Sequence, residues 1–172
     1  MATTTMASLG YYDILEREGF HPPVNLRVNG SDVFPGMPVT SQGETHPDVC
    51  LPDGVGDSVC GVTGLLENQD IGTVYADNSE VPVYLTGHGA IVKVYHAPNG
   101  GSIVAGEILV AQTKEAVGFV ETLRKATEDY VGGGVCTILA TQITHIYSLL
   151  GRAMETHASS GTTTPIKVCL SI

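Results

Sequence analysis

Residues 90–111 read AIVKVYHAPNGGSIVAGEILVA, and this stretch decides the expected fold. An apolar run at 90–96 is interrupted by a single Lys, Asn and two Gly follow at 99–101, and a second apolar run begins at 108. A short apolar run that carries one charged residue is typical of a strand with one buried face. Asn and Gly supply the positive φ that a chain reversal needs. The stretch therefore predicts two strands with a turn between them.

Similar apolar runs and turn signals continue on both sides of this stretch, from residue 32 to the C-terminus. Val, Ile and Thr number 20, 10 and 18 of the 172 residues, with 21 Gly and 9 Pro, which is a composition of strands and turns. The spacing is that of a β-barrel or a β-sandwich, and no internal repeat is visible. Strands are predicted at residues 37–40, 58–65, 81–85, 90–96, 108–111, 135–140 and 166–172. We expect a mainly β protein.

Two stretches have apolar residues at helical spacing. In residues 113–130 these residues recur every three or four positions, and Glu121 and Lys125 stand at i and i+4, where they would support a solvated face. We predict a surface helix there. Residues 142–154 fit a helical stripe and a strand alternation equally well, so both interpretations stay open.

The first 30 residues differ from the rest of the chain. Their apolar residues are interleaved with charged ones, and Pro22 and Pro23 would stop any helix that forms before them. Terminal segments are usually loose unless they are tied down. We therefore predict an N-terminal arm over residues 1–30 and a barrel domain over residues 31–172. The apolar arm residues that need a partner surface are Tyr11, Tyr12, Ile14, Leu15 and Phe20.

Charge and hydropathy limit the partners that we expect. The chain has 8 Lys and Arg against 18 Asp and Glu, a formal net charge of −10, so it lacks the basic patch that attracts nucleic acid or anionic lipid. It has no apolar run long enough to span a bilayer, and its start does not resemble a signal peptide. We expect no nucleic-acid partner and no membrane partner. Four widely spaced cysteines indicate thiols in a reducing compartment rather than a disulfide framework.

No group of residues stands in a recognised catalytic or metal-binding pattern. The six histidines form no H-x-x-x-H or H-E-x-x-H pair. There is no G-x-S-x-G elbow, and the glycine-rich pieces lack the Lys-Ser/Thr of a phosphate loop. We therefore expect a protein that is not an enzyme, with no catalytic residues, no metal site and no cofactor.

Several short motifs occur in order along the chain. Residues 34–39 read FPGMPV, residues 71–76 read IGTVYA, residues 105–109 read AGEIL, and residues 150–155 read LGRAME ahead of the final apolar run. In this order they resemble the capsid decoration proteins of tailed phages and related archaeal viruses. The reversals at 35–36 and 105–107 would lead into strands, and the small residues at 151 and 153 would let the chain pass close to a neighbouring backbone. The residues that carry the resemblance are Pro35, Gly36, Met37, Gly106, Gly151, Ala153 and Glu155.

The resemblance implies a small β-barrel or β-tulip domain with an extended N-terminal arm and one or two short helices. It also implies a homotrimer, made in the host cytoplasm, that sits on the outer surface of the virion capsid. There it would clamp neighbouring subunits of the major capsid protein against internal DNA pressure. The chain departs from the family pattern at Asn78, at Met154 and in the longer connection at 113–142.

Two other interpretations fit parts of the sequence. Residues 89–94 followed by 101–109 resemble one half of a lipoyl or biotinyl carrier domain, in which Lys114 would be the modified residue, although its neighbours are not those of that family. An adhesin or fibre-tip module would share the β-rich, trimeric character. The capsid decoration protein is the interpretation that we favour.

Overall fold

The computed structural model describes residues 22–30, 32–42, 48–52, 57–67, 69–70, 72–96, 101–112, 119–122, 149–158 and 164–171 of the chain. Within these ranges it contains ten strands and no helix. The strands are β1 (Val24–Val28), β2 (Pro38–Gln42), β3 (Asp48–Cys50), β4 (Val59–Thr63), β5 (Glu80–Leu85), β6 (Ile91–His96), β7 (Ile108–Gln112), β8 (Phe119–Thr122), β9 (Leu149–Ala153) and β10 (Thr164–Cys169). The mainly β fold expected from the sequence is confirmed.

The strands form two closed five-stranded rings rather than one. The first barrel has the order β1-β3-β2-β4-β5, and the second has the order β6-β8-β7-β9-β10. Each barrel contains one parallel pair, β1 with β3 in the first and β6 with β8 in the second, and all its other pairs are antiparallel. The second barrel therefore repeats the topology of the first, strand for strand.

The two barrels also share their register. Val39 pairs with Gly61 in the first barrel, as Leu109 pairs with Gly151 in the second, and in both the register shifts immediately after this pair. Such a shift marks a β-bulge, which is specific to its position in a sheet. The chain is therefore an internal structural repeat. The repeat escapes notice in the sequence because its connections differ in length: β3 and β4 are joined by residues 51–58, but β8 and β9 by residues 123–148.

Alternate residues of each strand fill the barrel interiors, as the pleat requires. The first barrel encloses the buried residues Leu26, Val28, Val33, Val39, Val49, Tyr75, Val81 and Val83. Strand pairing identifies the equivalent interior positions of the second barrel. They are occupied by the buried residues Val94, His96, Leu109, Val120, Ile166 and Val168, and Ile103 matches Val33 beside the turn. Each fully buried aliphatic side chain stabilises the fold by roughly 1.5–3 kcal/mol.

The barrels pack against each other. Met37, Val59, Val62 and Tyr84 of the first barrel belong to the same buried cluster as the core of the second. At the junction, the carbonyl of Leu170 accepts hydrogen bonds from Gly87 N–H (2.8 Å) and Gly89 N–H (3.1 Å). The outer face of the first barrel therefore contributes to the cluster that fills the second barrel, while the interior of the first barrel is a cluster of its own.

The predicted strands at 37–40, 58–65, 81–85, 90–96, 108–111 and 166–172 overlap β2, β4, β5, β6, β7 and β10. The predicted strand at 135–140 lies outside the described residues, as do residues 1–21 of the predicted arm. Val24–Val28, which the sequence prediction assigned to the arm, form β1 and pair with β3 and β5.

The helix predicted over 113–130 is wrong where the structure describes it. Phe119–Thr122 form β8, which pairs with β7 from Leu109 to Gln112 and closes the second barrel. Pairing on both sides outweighs the local helical spacing, because β structure is decided by cross-strand neighbours. Residues 113–118 and 123–130 lie outside the described residues. In the undecided stretch 142–154, the described part contains the strand β9.

Candidate functional site

The two turns named from the sequence are the same structural element in the two barrels. Gly36 and Gly106 both have positive φ, +81° and +89°, a region that favours glycine. Gly36 N–H donates to the Thr63 carbonyl (2.8 Å), and Gly106 N–H donates to the Ala153 carbonyl (2.7 Å). The return bonds also match, since Thr63 N–H donates to the Met37 carbonyl (3.0 Å) as Ala153 N–H does to that of Glu107 (2.9 Å). In each barrel, these hydrogen bonds thus connect the start of the second strand to the end of the fourth strand.

Gly151 lies where the backbones of two strands meet. A Cβ atom there would stand 2.0 Å from the carbonyl oxygen of Cys169, a distance that no real contact allows. Gly61, at the equivalent place in the first barrel, would put its Cβ 2.4 Å from the carbonyl oxygen of Tyr84. Only a residue without a side chain fits either position.

Ala153 and Glu155 tie the end of β9 to β10. Ala153 is buried in the core. The Oε1 of Glu155 accepts a hydrogen bond from Lys167 N–H (2.8 Å), and Met154 N–H donates to the Lys167 carbonyl (2.8 Å). Glu155 and its neighbour Met154 therefore hold the end of β9 against β10, and Ala153 pairs with Val168 of β10.

The two turns are braced differently. In the first barrel the buried Thr63 hydroxyl donates to the Phe34 carbonyl (2.6 Å) and accepts from Met37 N–H (3.1 Å). The second barrel has an alanine at that position, and its turn is braced from the solvent side: Val104 N–H donates to Glu107 Oε2 (2.8 Å) and Ala105 N–H to Thr156 Oγ1 (3.2 Å). The first turn is thus built for burial and the second for exposure.

The outer faces beside these turns differ in the same way. Around the first turn, Met37, Val62 and Tyr84 are buried between the barrels, with Phe34 half-buried beside them. The matching face of the second barrel, which we call the open face, carries polar groups and two exposed apolar side chains, Val104 (50% exposed) and Met154 (49% exposed). Its residues are Val104, Glu107, Arg152, Met154, Lys167 and Cys169.

Sequence reasoning did not single out Val104 or Arg152. Arg152 donates from Nη1 to the Gly106 carbonyl (3.1 Å) and so lies over the turn. The sequence contains one sign of the open face, which is the match between FPGMPV at 34–39 and VAGEIL at 104–109. This match aligns Phe34 with Val104 and Met37 with Glu107.

Several ionisable side chains are buried or half-buried in the barrels. Burial raises the pKa of the Tyr95 hydroxyl to about 12 and that of the Cys60 thiol to about 11. Burial also raises the pKa of Tyr75, whose hydroxyl donates to the Gly64 carbonyl. These groups stay protonated at neutral pH, and a protonated thiol is a poor nucleophile.

The second barrel contains a pair of histidines. The rings of His96 and His157 meet edge to face with centroids 5.4 Å apart, and His96 takes the interior position that Val28 holds in the first barrel. Among the described residues no three His, Cys, Asp or Glu side chains form a group that could hold a metal ion. Cys50, Cys60 and Cys169 form no disulfide within the described ranges.

The arm residues named from the sequence, Tyr11, Tyr12, Ile14, Leu15 and Phe20, lie outside the described residues, and so does Lys114. The part of the chain that the structure describes has no helix of the length and hydropathy needed to cross a membrane. No protein-family model matches the chain, and no curated protein matches it.

Proposed function

We propose that this protein is a capsid decoration protein, which binds the outer surface of an icosahedral viral head as a homotrimer and stabilises the lattice of major capsid subunits. The observation that carries the proposal is the placement of the motif residues. Gly36 and Gly106 form equivalent turns, and Gly151 makes the backbone contact beside the second of them. The ordered motifs that resemble the family thus fall on positions that a tandem β-barrel needs.

The fold suits a protein that acts by binding. Two closed rings pack against each other through buried apolar side chains, and the motif residues with described contacts contribute to the turns and strand pairs that hold these rings together. A compact body of this kind presents side chains at fixed positions and loses little conformational entropy on docking. Such a body can bridge neighbouring subunits of a shell without itself deforming.

Multiple contacts would make the attachment strong. A trimer that touches several capsid subunits at once converts its later contacts into intramolecular ones, so that weak individual affinities multiply through effective concentration. Ligands that bind only the assembled lattice stabilise it by mass action. In the proposal, the apolar residues of the arm supply contacts of this kind, at the entropic cost of ordering the arm on the capsid.

Binding to purified heads that lack this protein tests the proposal. The full chain should co-sediment with the heads and raise the temperature at which they release DNA. The variant Tyr12→Ser/Leu15→Ser/Phe20→Ser should bind at least about tenfold more weakly, a loss of about 1.4 kcal/mol or more. The matched control Thr3→Ser/Thr4→Ser/Thr5→Ser keeps the arm apolar residues and should bind as the native chain does. Failure of the full chain to bind any head would overturn the capsid proposal, and equal binding by the two variants would remove the arm from it.

A further inference from the structure

The contact between the two barrels shows how the face beside the first turn is used. Tyr95, which points outward from β6, lies against Gly36: its N–H donates to the Gly36 carbonyl (3.4 Å), and a Cβ at Gly36 would be 3.4 Å from the Tyr95 ring. The same Cβ would be 3.2 Å from the Lys93 carbonyl oxygen. The outer face of β6 therefore lies against the first turn, and Tyr95 belongs to the same buried cluster as Met37, Val62 and Tyr84.

On the same face of the second barrel, no residue of the described ranges packs against the turn glycine. Gly106 matches Gly36, but a Cβ built on it would meet nothing within 4 Å. Four large apolar side chains are exposed among the described residues, and two of them, Val104 and Met154, lie on this open face. The same face carries Glu107, Arg152 and Lys167, so it offers a partner both apolar and charged side chains.

The surface that would cover the open face also exists in the chain. Strand pairing makes Asn25 and Arg27 of β1 the equivalents of Lys93 and Tyr95 of β6. Asn25 is exposed, and the Arg27 side chain is 41% exposed while it pairs with Asp48 (2.8 Å). If the contact between the barrels were repeated between two chains, Arg27 of one chain would lie against the Gly106 turn of the other, as Tyr95 lies against the Gly36 turn within one chain.

The substitutions at the two surfaces are complementary. The internal contact has Tyr95 on one surface and Met37 on the other, and the repeated contact would have Arg27 and Glu107 at these positions. Opposite charges at the rim of an apolar contact favour the correct partner and register. The open face is also less apolar than the matching face of the first barrel, because it has Arg152 in place of Val62 and Cys169 in place of Tyr84. A less apolar surface suits a contact that forms and dissociates between chains.

We propose that the open face of the second barrel binds the outer face of β1 in a second copy of this chain, and so repeats between chains the contact that joins the barrels within one. The contact is heterologous, since two different surfaces meet, and successive copies close into a ring if the rotation permits and otherwise extend into a filament. The inference holds without the capsid proposal, because it concerns self-association alone.

Sedimentation equilibrium of the full chain, without heads, tests the contact. The native chain should show a mass above that of the monomer that rises with concentration up to about 1 mM. The variant Val104→Asp/Met154→Asp should associate at least about tenfold more weakly. Val74→Asp, which changes an exposed valine away from the open face, should associate as the native chain does. A native chain that stays monomeric throughout, or a double variant that associates like the native chain, would overturn the proposal.

Cysteine cross-linking tests which surfaces meet. Asn25→Cys and Ala105→Cys should form a disulfide-linked dimer when the two variants are mixed under mild oxidation, and much less of it when either is oxidised alone. The native chain, with its own cysteines, gives the background. Dimers of Ala105→Cys alone, without a mixed product, would show a two-fold contact and contradict the head-to-tail arrangement.

Discussion

Gly61 and Gly151 occupy the same place in the two barrels, and each faces the carbonyl oxygen of the strand beside it, that of Tyr84 and that of Cys169 respectively. Each also directly follows the bulged residue of its strand. The close backbone contact is thus a feature of the repeated unit, and it fixes how tightly the fourth and fifth strands of each barrel approach.

We expect Gly151→Ala to destabilise the protein by at least about 2–3 kcal/mol, because the added methyl group overlaps a backbone carbonyl that cannot move without breaking the strand pair. Gly61→Ala should destabilise the protein for the same reason, since its Cβ would also stand too close to a backbone carbonyl oxygen, that of Tyr84. Urea unfolding measures both. Gly72→Ala is the control, because nothing lies within 4 Å of that position. A Gly151→Ala protein as stable as Gly72→Ala would show that the strands are further apart than described.

The two turn glycines should respond unequally to alanine. Gly106→Ala meets only the cost of a positive φ, roughly 1–2 kcal/mol, because its surroundings are open. Gly36→Ala has the same backbone cost and also pushes against the Lys93 carbonyl at 3.2 Å, so its loss of unfolding free energy should be larger. Gly87→Ala, with φ +83° and open space, should match Gly106→Ala. Equal losses at Gly36 and Gly106 would argue against the packing of the second barrel on the first turn.

Thr63→Val should lower the free energy of unfolding by about 1–3 kcal/mol, because it leaves the Phe34 carbonyl and the Met37 N–H without their hydroxyl partner in a buried place. Thr63→Ser keeps the hydroxyl and should recover most of the loss. The matched control is Thr86→Val, whose hydroxyl makes only a long contact of 3.4 Å with the Cys60 carbonyl. Identical stabilities of Thr63→Val and Thr63→Ser would mean that the hydroxyl does not brace the turn.

Cys60 should make the protein less stable in alkali. Burial raises the pKa of its thiol from 9.0 to about 11, so between these values the unfolded chain has lost the proton that the folded chain keeps. Stability that is fully present below pH 9 is therefore lost as the pH rises toward 11. Cys60→Ser removes this titration, so its unfolding free energy should fall less steeply across the same range. Parallel pH profiles for the two proteins would contradict the assignment to Cys60.

The sequence identified the class of fold because alternation and turn chemistry are local properties. The strands β2, β4, β5, β6, β7 and β10 are apolar enough to be recognised in isolation. β3 is only three residues long and begins with Asp48, which is buried because Arg27 pairs with it from the neighbouring strand. That pairing is a property of the folded barrel, and so is the strand β8 within a stretch of helical spacing.

The candidate site was visible only in pieces. Gly36, Gly106 and Gly151 were named from their motifs. The short match between residues 34–39 and 104–109 indicates that the first two are equivalent, but it does not identify Gly61 as the counterpart of the third. The unequal connections hide the repeat, and without the repeat Val104 and Met154 are two unrelated exposed residues. Their meaning comes from the comparison of one barrel with the other.

Closure of the rings also determines how this protein behaves when it is crowded. Each described strand has a paired neighbour on both sides within its own barrel. Unpaired strand borders are the usual templates for cross-β aggregation. Because its described strands are paired on both sides, we expect this protein to resist such aggregation and to be recognised through its side chains.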